Sequence, residues 1–259
     1  MNNAAETWWQ RIVAGFTHSP APTVTGTELA LVILLAVALS LPRATWRYFG
    51  LLATVTHELG HAFAALMTGQ RVGGIRLGLD HSGTTTTFSR RPLAAVWSTF
   101  WGYPVPAVVG AVMVWSGFNG WGPAAMSVGT LILLASFLFI RNGIGLMITA
   151  AAVLAAVLLV LTVPPEFTGH VMIVLGLALL VAAVRDLGKL ATVHLRRRDR
   201  LATSDAYLLS RATRVPAFVW IVLFAAVVGA AWWIAWQPMS QVFAFLPAAP
   251  LEGQGAAPA

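Results

Sequence analysis

Seven stretches of this chain are apolar enough to be read as bilayer-crossing helices, and the second of them contains His-Glu-Leu-Gly-His. They cover roughly 26–42, 48–68, 93–116, 121–140, 143–163, 167–187 and 213–236. A helix needs about 20 such residues to cross a bilayer. The first stretch is short, contains Glu28 and ends at Pro42 and Arg43. Composition agrees with the segments. Hydrophobic side chains make up 58% of the chain and charged ones 10%, against about 25% charged in soluble domains. The expected fold is an all-α polytopic membrane protein with about seven transmembrane helices.

One connection breaks the helical pattern. In RVGGIRLGLDHSGTTTTFSRR (71–91), Ile75, Leu77 and Leu79 alternate with other residues, and a threonine run follows. This predicts a small β-hairpin with its turn near Asp80–Gly83. An exposed strand edge there would suit an extended peptide of a membrane-protein substrate, held by strand addition.

Lysine and arginine positions give an orientation. With the N-terminus placed in the cytoplasm, all 16 fall on the cytoplasmic side except Arg43 and Arg47. The expectation is a multi-pass protein of the cell (inner or plasma) membrane, N-terminus inside and C-terminus outside. The first 27 residues lack the long apolar run of a signal peptide. The net charge of +7 then needs no nucleic acid, because HLRRRDR (194–200) reads as an anchor on anionic lipid. By this reading 1–25 is a cytoplasmic segment and 26–236 a single transmembrane domain. The Pro-, Ala- and Gly-rich stretch 237–259 is a disordered tail.

His57 and His61 are four residues apart, so a helix presents both on one face. Glu58 adjoins the first. This is the zinc-hydrolase pattern, two imidazole ligands with a glutamate as general base. An ionisable group at the centre of a membrane helix costs about 2.5–3.5 kcal/mol by insertion scales, a cost that a bound cation offsets. Zn2+ is the expected cofactor. The chain has no cysteine, so the third ligand must be His, Asp or Glu. His61 is one turn nearer the inner side than His57, which leaves Asp80, Asp186, Asp199 and Asp205, with His81 and His194 behind them. Asp186 is preferred, since Gly188 would let its helix bend inward. Asp205 is second, because Ser204 or Asp205 is well placed to cap the last helix. Asn142 has two readings, oxyanion donor or helix boundary. His170 reads as structural, and Tyr103 with Pro104 and Pro106 as a kink in the third span.

HELGH in a membrane span with a later Asp near a Gly resembles the site-2 protease family of intramembrane zinc metalloproteases. The likeness is to its compact bacterial branch without a PDZ domain. WGYPVPAVVG (101–110), the Gly/Thr-rich 73–88 and SDAYLLSRATRVPAFVW (204–220) are similar to that branch as well. The resemblance implies hydrolysis of peptide bonds in or near transmembrane segments of substrates. It carries the family's histidine ligands to His57 and His61 and its glutamate to Glu58. The family's aspartate ligand lies in an L-D-G pattern, whereas here D-L-G occurs at 186–188. Two competing readings are an inactive scaffold or chaperone of the same fold and a metal-binding transporter. An intact Glu58 argues against the scaffold, and the absence of paired repeat-like halves argues against the transporter.

Overall fold

In the computed structural model, which describes Val13 and residues 15–196 and 204–244, helices take up most of the apolar sequence. In chain order they are α1 (Gly26–Ser40), α2 (Arg43–Met67), α3 (Pro92–Phe100), α4 (Pro104–Phe118), α5 (Gly122–Ser136), α6 (Gly143–Thr162), α7 (Thr168–Arg196), α8 (Asp205–Thr213) and α9 (Ala217–Ala244). Strands β1 (Arg71–Leu77) and β2 (Gly83–Phe88) lie between α2 and α3.

Three described helices are long and apolar enough to cross a membrane: Gly143–Thr162, Pro165–Arg196 and Ala217–Phe243. A fourth crossing is counted if α1 and α2, bent by 87° at their junction, act as one. The expected seven are not confirmed among the described residues, and two local causes stand out. The expected span 93–116 is cut into α3 and α4 at Trp101–Tyr103, where Pro104 and Pro106 open the new helix. Neither proline has an N–H to give a preceding turn, which suits both to a helix start. The expected span 121–140 stops as a helix at Ser136, because the next residues leave it to pair with β1. At the other end of the chain, α9 runs through Pro238 to Ala244, beyond the expected boundary at 236. Residues 197–203, with Arg197, Arg198, Asp199 and Arg200, lie outside the described residues, as do 245–259.

α7 is the central helix. Within its most apolar window 61% of residues are buried, against 17% in α6 and in α9, which face outward. Its main partner is α4, and glycines make that contact close. A Cβ on Gly110 would meet the carbonyl oxygen of Gly176 at 2.6 Å, and one on Gly117 that of Gly169 at 2.6 Å. Small residues two turns apart bring the backbones together, which is how helices associate where lipid is as apolar as leucine. Ala107, Ala111, Val114, Ile173, Leu177 and Leu180 fill the same buried cluster.

The two ends of this bundle differ. One end gathers Ser19, whose N–H bonds the Gly120 carbonyl, and Glu28, 3.9 Å from His170. The other end gathers Arg141, whose N–H bonds Ile75, and Arg185, whose guanidinium donates to the carbonyls of Ser40 and Leu41 at 2.9 and 3.2 Å. α1 therefore runs parallel to α7. α9 starts at the second end, where Phe224 packs on Tyr103 and Leu190. Its 28 residues span about 42 Å, which carries it back to the first end. Residues 18–28 and the end of α9 thus share one end of the bundle.

The hairpin forms as expected. β1 and β2 are antiparallel, with Ile75 opposite Thr85 and Leu77 opposite Gly83. Ile75 and Leu77 turn into a cluster with Val55, Leu59 and Ile140, while Leu79 lies in the turn and is exposed. Asp80 accepts from the N–H and hydroxyl of Ser82, which closes the turn and holds its carboxyl below the usual range. The free side of β1 is covered by the chain between α5 and α6. Ile75 N–H donates to Phe139 at 2.7 Å, and the Asn142 side chain both accepts from Leu77 N–H (3.1 Å) and donates to its carbonyl (2.8 Å).

Candidate metal centre

α2 delivers the two imidazoles as the spacing requires. Nε2 of His57 and Nε2 of His61 are 3.1 Å apart. Nδ1 of His61 lies 2.8 Å from the Ser98 carbonyl on α3. A proton on that nitrogen leaves the Nε2 lone pair free for a metal, the usual way a backbone acceptor orients a ligand histidine. Tyr103 closes edge-on against His57, with ring centroids 4.8 Å apart, and is itself stacked on Phe224.

The carboxylate beside this pair is that of Asp205, at the first position of α8. Its Oδ2 is 3.4 Å from His57 Nε2 and 3.3 Å from His61 Nε2. Among the described residues, His57, His61 and Asp205 are the group whose ligand atoms lie within 4.8 Å of one another. The three separations can be tested against an ion. Ligands about 2.05 Å from a tetrahedral zinc sit about 3.3 Å from each other, and the observed 3.1–3.4 Å fits that set.

Asp186 is elsewhere. It faces the same cavity from the rim, but its carboxylate is 2.8 Å from Lys189, three residues on in α7. α7 runs on through Gly188 to Arg196 with no break in the helix. The capping role expected at the start of α8 is also not taken. Ser204 makes no cap bond, and its hydroxyl pairs with His194 Nε2 at 2.8 Å, which ties α7 to α8 and leaves the Asp205 carboxylate for the histidines. His81 stacks on Trp46 at the cavity edge, with Arg185 and Lys189 over the same indole.

Glu58 is buried, 4% exposed, and lies on the wall of a cavity of about 510 Å3 shared with His57, His61, Asp205, Tyr103 and the β2 threonines. Its Oε2 accepts from the Thr85 hydroxyl at 2.6 Å. Two glycines make room. A Cβ on Gly83 would strike the Glu58 carboxylate, and one on Gly102 would strike both imidazoles. Reading the sequence for chemistry passed over Gly83, Thr85, Ser98 and Gly102, which act through backbone or shape. The one signal available was the place of Gly102 inside WGYP, beside the kink read at Tyr103, Pro104 and Pro106. Asn142 takes the helix-boundary role: it is the residue before α6, its carbonyl accepts from Leu146 N–H, and its side chain bonds Leu77 on β1.

Residues 30–235 match the family described as Peptidase M50B-like. Comparison with curated proteins found no match, and neither did comparison with solved structures.

Proposed function

Because the chain belongs to the Peptidase M50B-like family, the site-2 protease group of membrane metalloproteases, we propose that it is an intramembrane zinc endopeptidase with His57, His61 and Asp205 as ligands and Glu58 as general base. The observation that carries this reading is the near-equal spacing of three donor atoms, 3.1–3.4 Å, on the wall of a cavity that also holds a buried glutamate. A zinc ion held there would activate water and polarise the scissile carbonyl. Glu58 takes the proton of the attacking water and returns it to the leaving amine. Ser98 orients His61 through its carbonyl, and Tyr103 and Gly102 shape the space around the imidazoles.

Substrate would enter along β2. β1 is paired on both sides, by β2 and by residues 139–142, so β2 carries the open edge. Gly83, Thr84, Thr85 and Thr87 line the cavity. A peptide unwound from a membrane span and added to that edge would pass the metal centre. A photo-crosslinking residue at Thr84 should capture substrate, and capture only from distant positions such as Leu131 would remove this route.

The arginine-rich end of the bundle is assigned to the cytoplasm. Residues 18–28 and the end of α9 then both face outward, in place of an inward N-terminus. The chain has no cysteine, so single cysteines report topology cleanly. Ser19→Cys should react with an impermeant thiol reagent added outside whole cells, and Ser89→Cys should not. The reverse pattern would invert the assignment.

The function itself is tested with detergent-purified full chain, wild type beside Glu58→Gln, against a panel of single-span membrane proteins. Cuts in or next to the spans by wild type alone support the proposal. Equal cutting by both proteins would exclude Glu58 as the base.

A further inference from the structure

The threonine run 84–87 looks uniform, but the strand sorts it. Side chains alternate across a strand, and here Thr84 and Thr86 are exposed while Thr85 and Thr87 are half-buried. Thr85 alone reaches Glu58. Its hydroxyl oxygen is 2.6 Å from Oε2 and 3.1 Å from the Glu58 backbone carbonyl. A hydroxyl has one proton, and the carboxylate at the shorter distance takes it, in the range of charge-assisted O–H···O− bonds. The other oxygen, Oε1, lies against Gly83 and has no hydrogen-bond partner among the described residues.

We propose that Thr85 is the positioning residue of the general base, binding Oε2 of Glu58 and leaving Oε1 as the oxygen that receives the proton from water. The proposal rests on reading Glu58 as the base. A free glutamate side chain has several rotamers, and Thr85 and Gly83 together hold one. Gly83 supplies the space that lets the carboxylate lie against the strand, and Thr85 supplies the bond that keeps it there. The base is then set by the same strand that would dock substrate, and β2 is fixed in turn through β1 to Asn142. The hydrogen bonds of the Thr85 hydroxyl go to Glu58 and not to His57, His61 or Asp205, so it acts through Glu58.

The test uses full-length Thr85→Val, which keeps the shape and removes the hydroxyl, with Thr85→Ser as the conservative variant. Two readouts are taken. The first is hydrogen exchange of the 83–88 amides in metal-free protein. Thr85→Val should speed exchange about tenfold in the Glu58 background, and add nothing in a Glu58→Ala background. The second is cleavage in detergent of a single-span membrane protein from the panel above by zinc-loaded protein of equal metal content. A hydrogen bond to a charged group is worth about ten- to hundredfold, so kcat should fall in that range with KM unchanged, and Thr85→Ser should restore it. Wild-type kcat in Thr85→Val, or equal exchange in both Glu58 backgrounds, would overturn the proposal. A rise in KM at unchanged kcat would also overturn it, making Thr85 a docking residue instead. Were no protein of the panel cut by wild type, the exchange readout would still decide whether Thr85 holds Glu58, and the protease reading would be what failed.

Discussion

The α4–α7 seam and the candidate metal centre are built by opposite means. The seam is regular: two helices, glycines two turns apart, and alanine, valine, leucine and isoleucine between them. It contains no charged group and needs none. The metal centre draws on α2, the α3–α4 break, β2 and the first residue of α8, and nearly every group in it is polar. One region is set by shape repeated along a helix. The other is set by interruptions that bring distant residues to one point. In lipid, irregular backbone is tolerated where it is buried in protein or lines a cavity, and the interruptions here lie at the cavity. Mutations in the two regions should therefore fail differently, the seam through folding and the centre through chemistry.

The largest effect should come from Glu58→Gln, which leaves the shape of the centre in place. Cleavage should fall by about 100-fold or more while zinc content and thermal unfolding stay as in wild type. Loss of folding in this variant would blur the division between the regions. Gly110→Leu should do the reverse. The added atoms meet the Gly176 carbonyl, and overpacking of this kind costs about 1–3 kcal/mol. The protein should unfold at lower temperature with the metal-binding residues untouched. An unchanged unfolding temperature would mean the seam yields where close packing says it cannot.

Gly102→Ala probes the boundary between the two. Its Cβ would enter the space of both imidazoles, so zinc affinity should drop about 10- to 100-fold, the range for disturbed support of metal ligands. Unaltered affinity by competition with a chelator would show that the loop moves aside. Asn142→Ala should give the smallest change. It removes two hydrogen bonds to Leu77, worth about 1–2 kcal/mol together. Hydrogen exchange at 71–77 should rise and zinc content should hold. Loss of zinc would show that the hairpin supports the ligands and not only the base.

Part of this was legible in the sequence. His57, Glu58 and His61 needed only the helical repeat, and the hairpin only alternation followed by turn residues. The helix breaks were less legible. Tyr103, Pro104 and Pro106 did mark the interruption of the third span, but the apolar run continues past Ser136 with nothing to show that the helix stops there. The aspartate was least legible. Asp186 is in a long helix near a glycine, but Lys189 one turn on binds its carboxylate. Asp205 followed a serine and looked like a cap. Its place beside the histidines depends on His194 engaging Ser204 and on α8 packing against α3, and neither contact has a local signature.

The central claim is that His57, His61 and Asp205 form one metal site. Metal content of the detergent-purified full chain, measured by mass spectrometry, tests it without a substrate, using wild type, Asp205→Ala and Asp186→Ala side by side. The account predicts about one zinc per chain in wild type, the same in Asp186→Ala, and little in Asp205→Ala. Zinc retained by Asp205→Ala and lost from Asp186→Ala would contradict it and move the third ligand to α7.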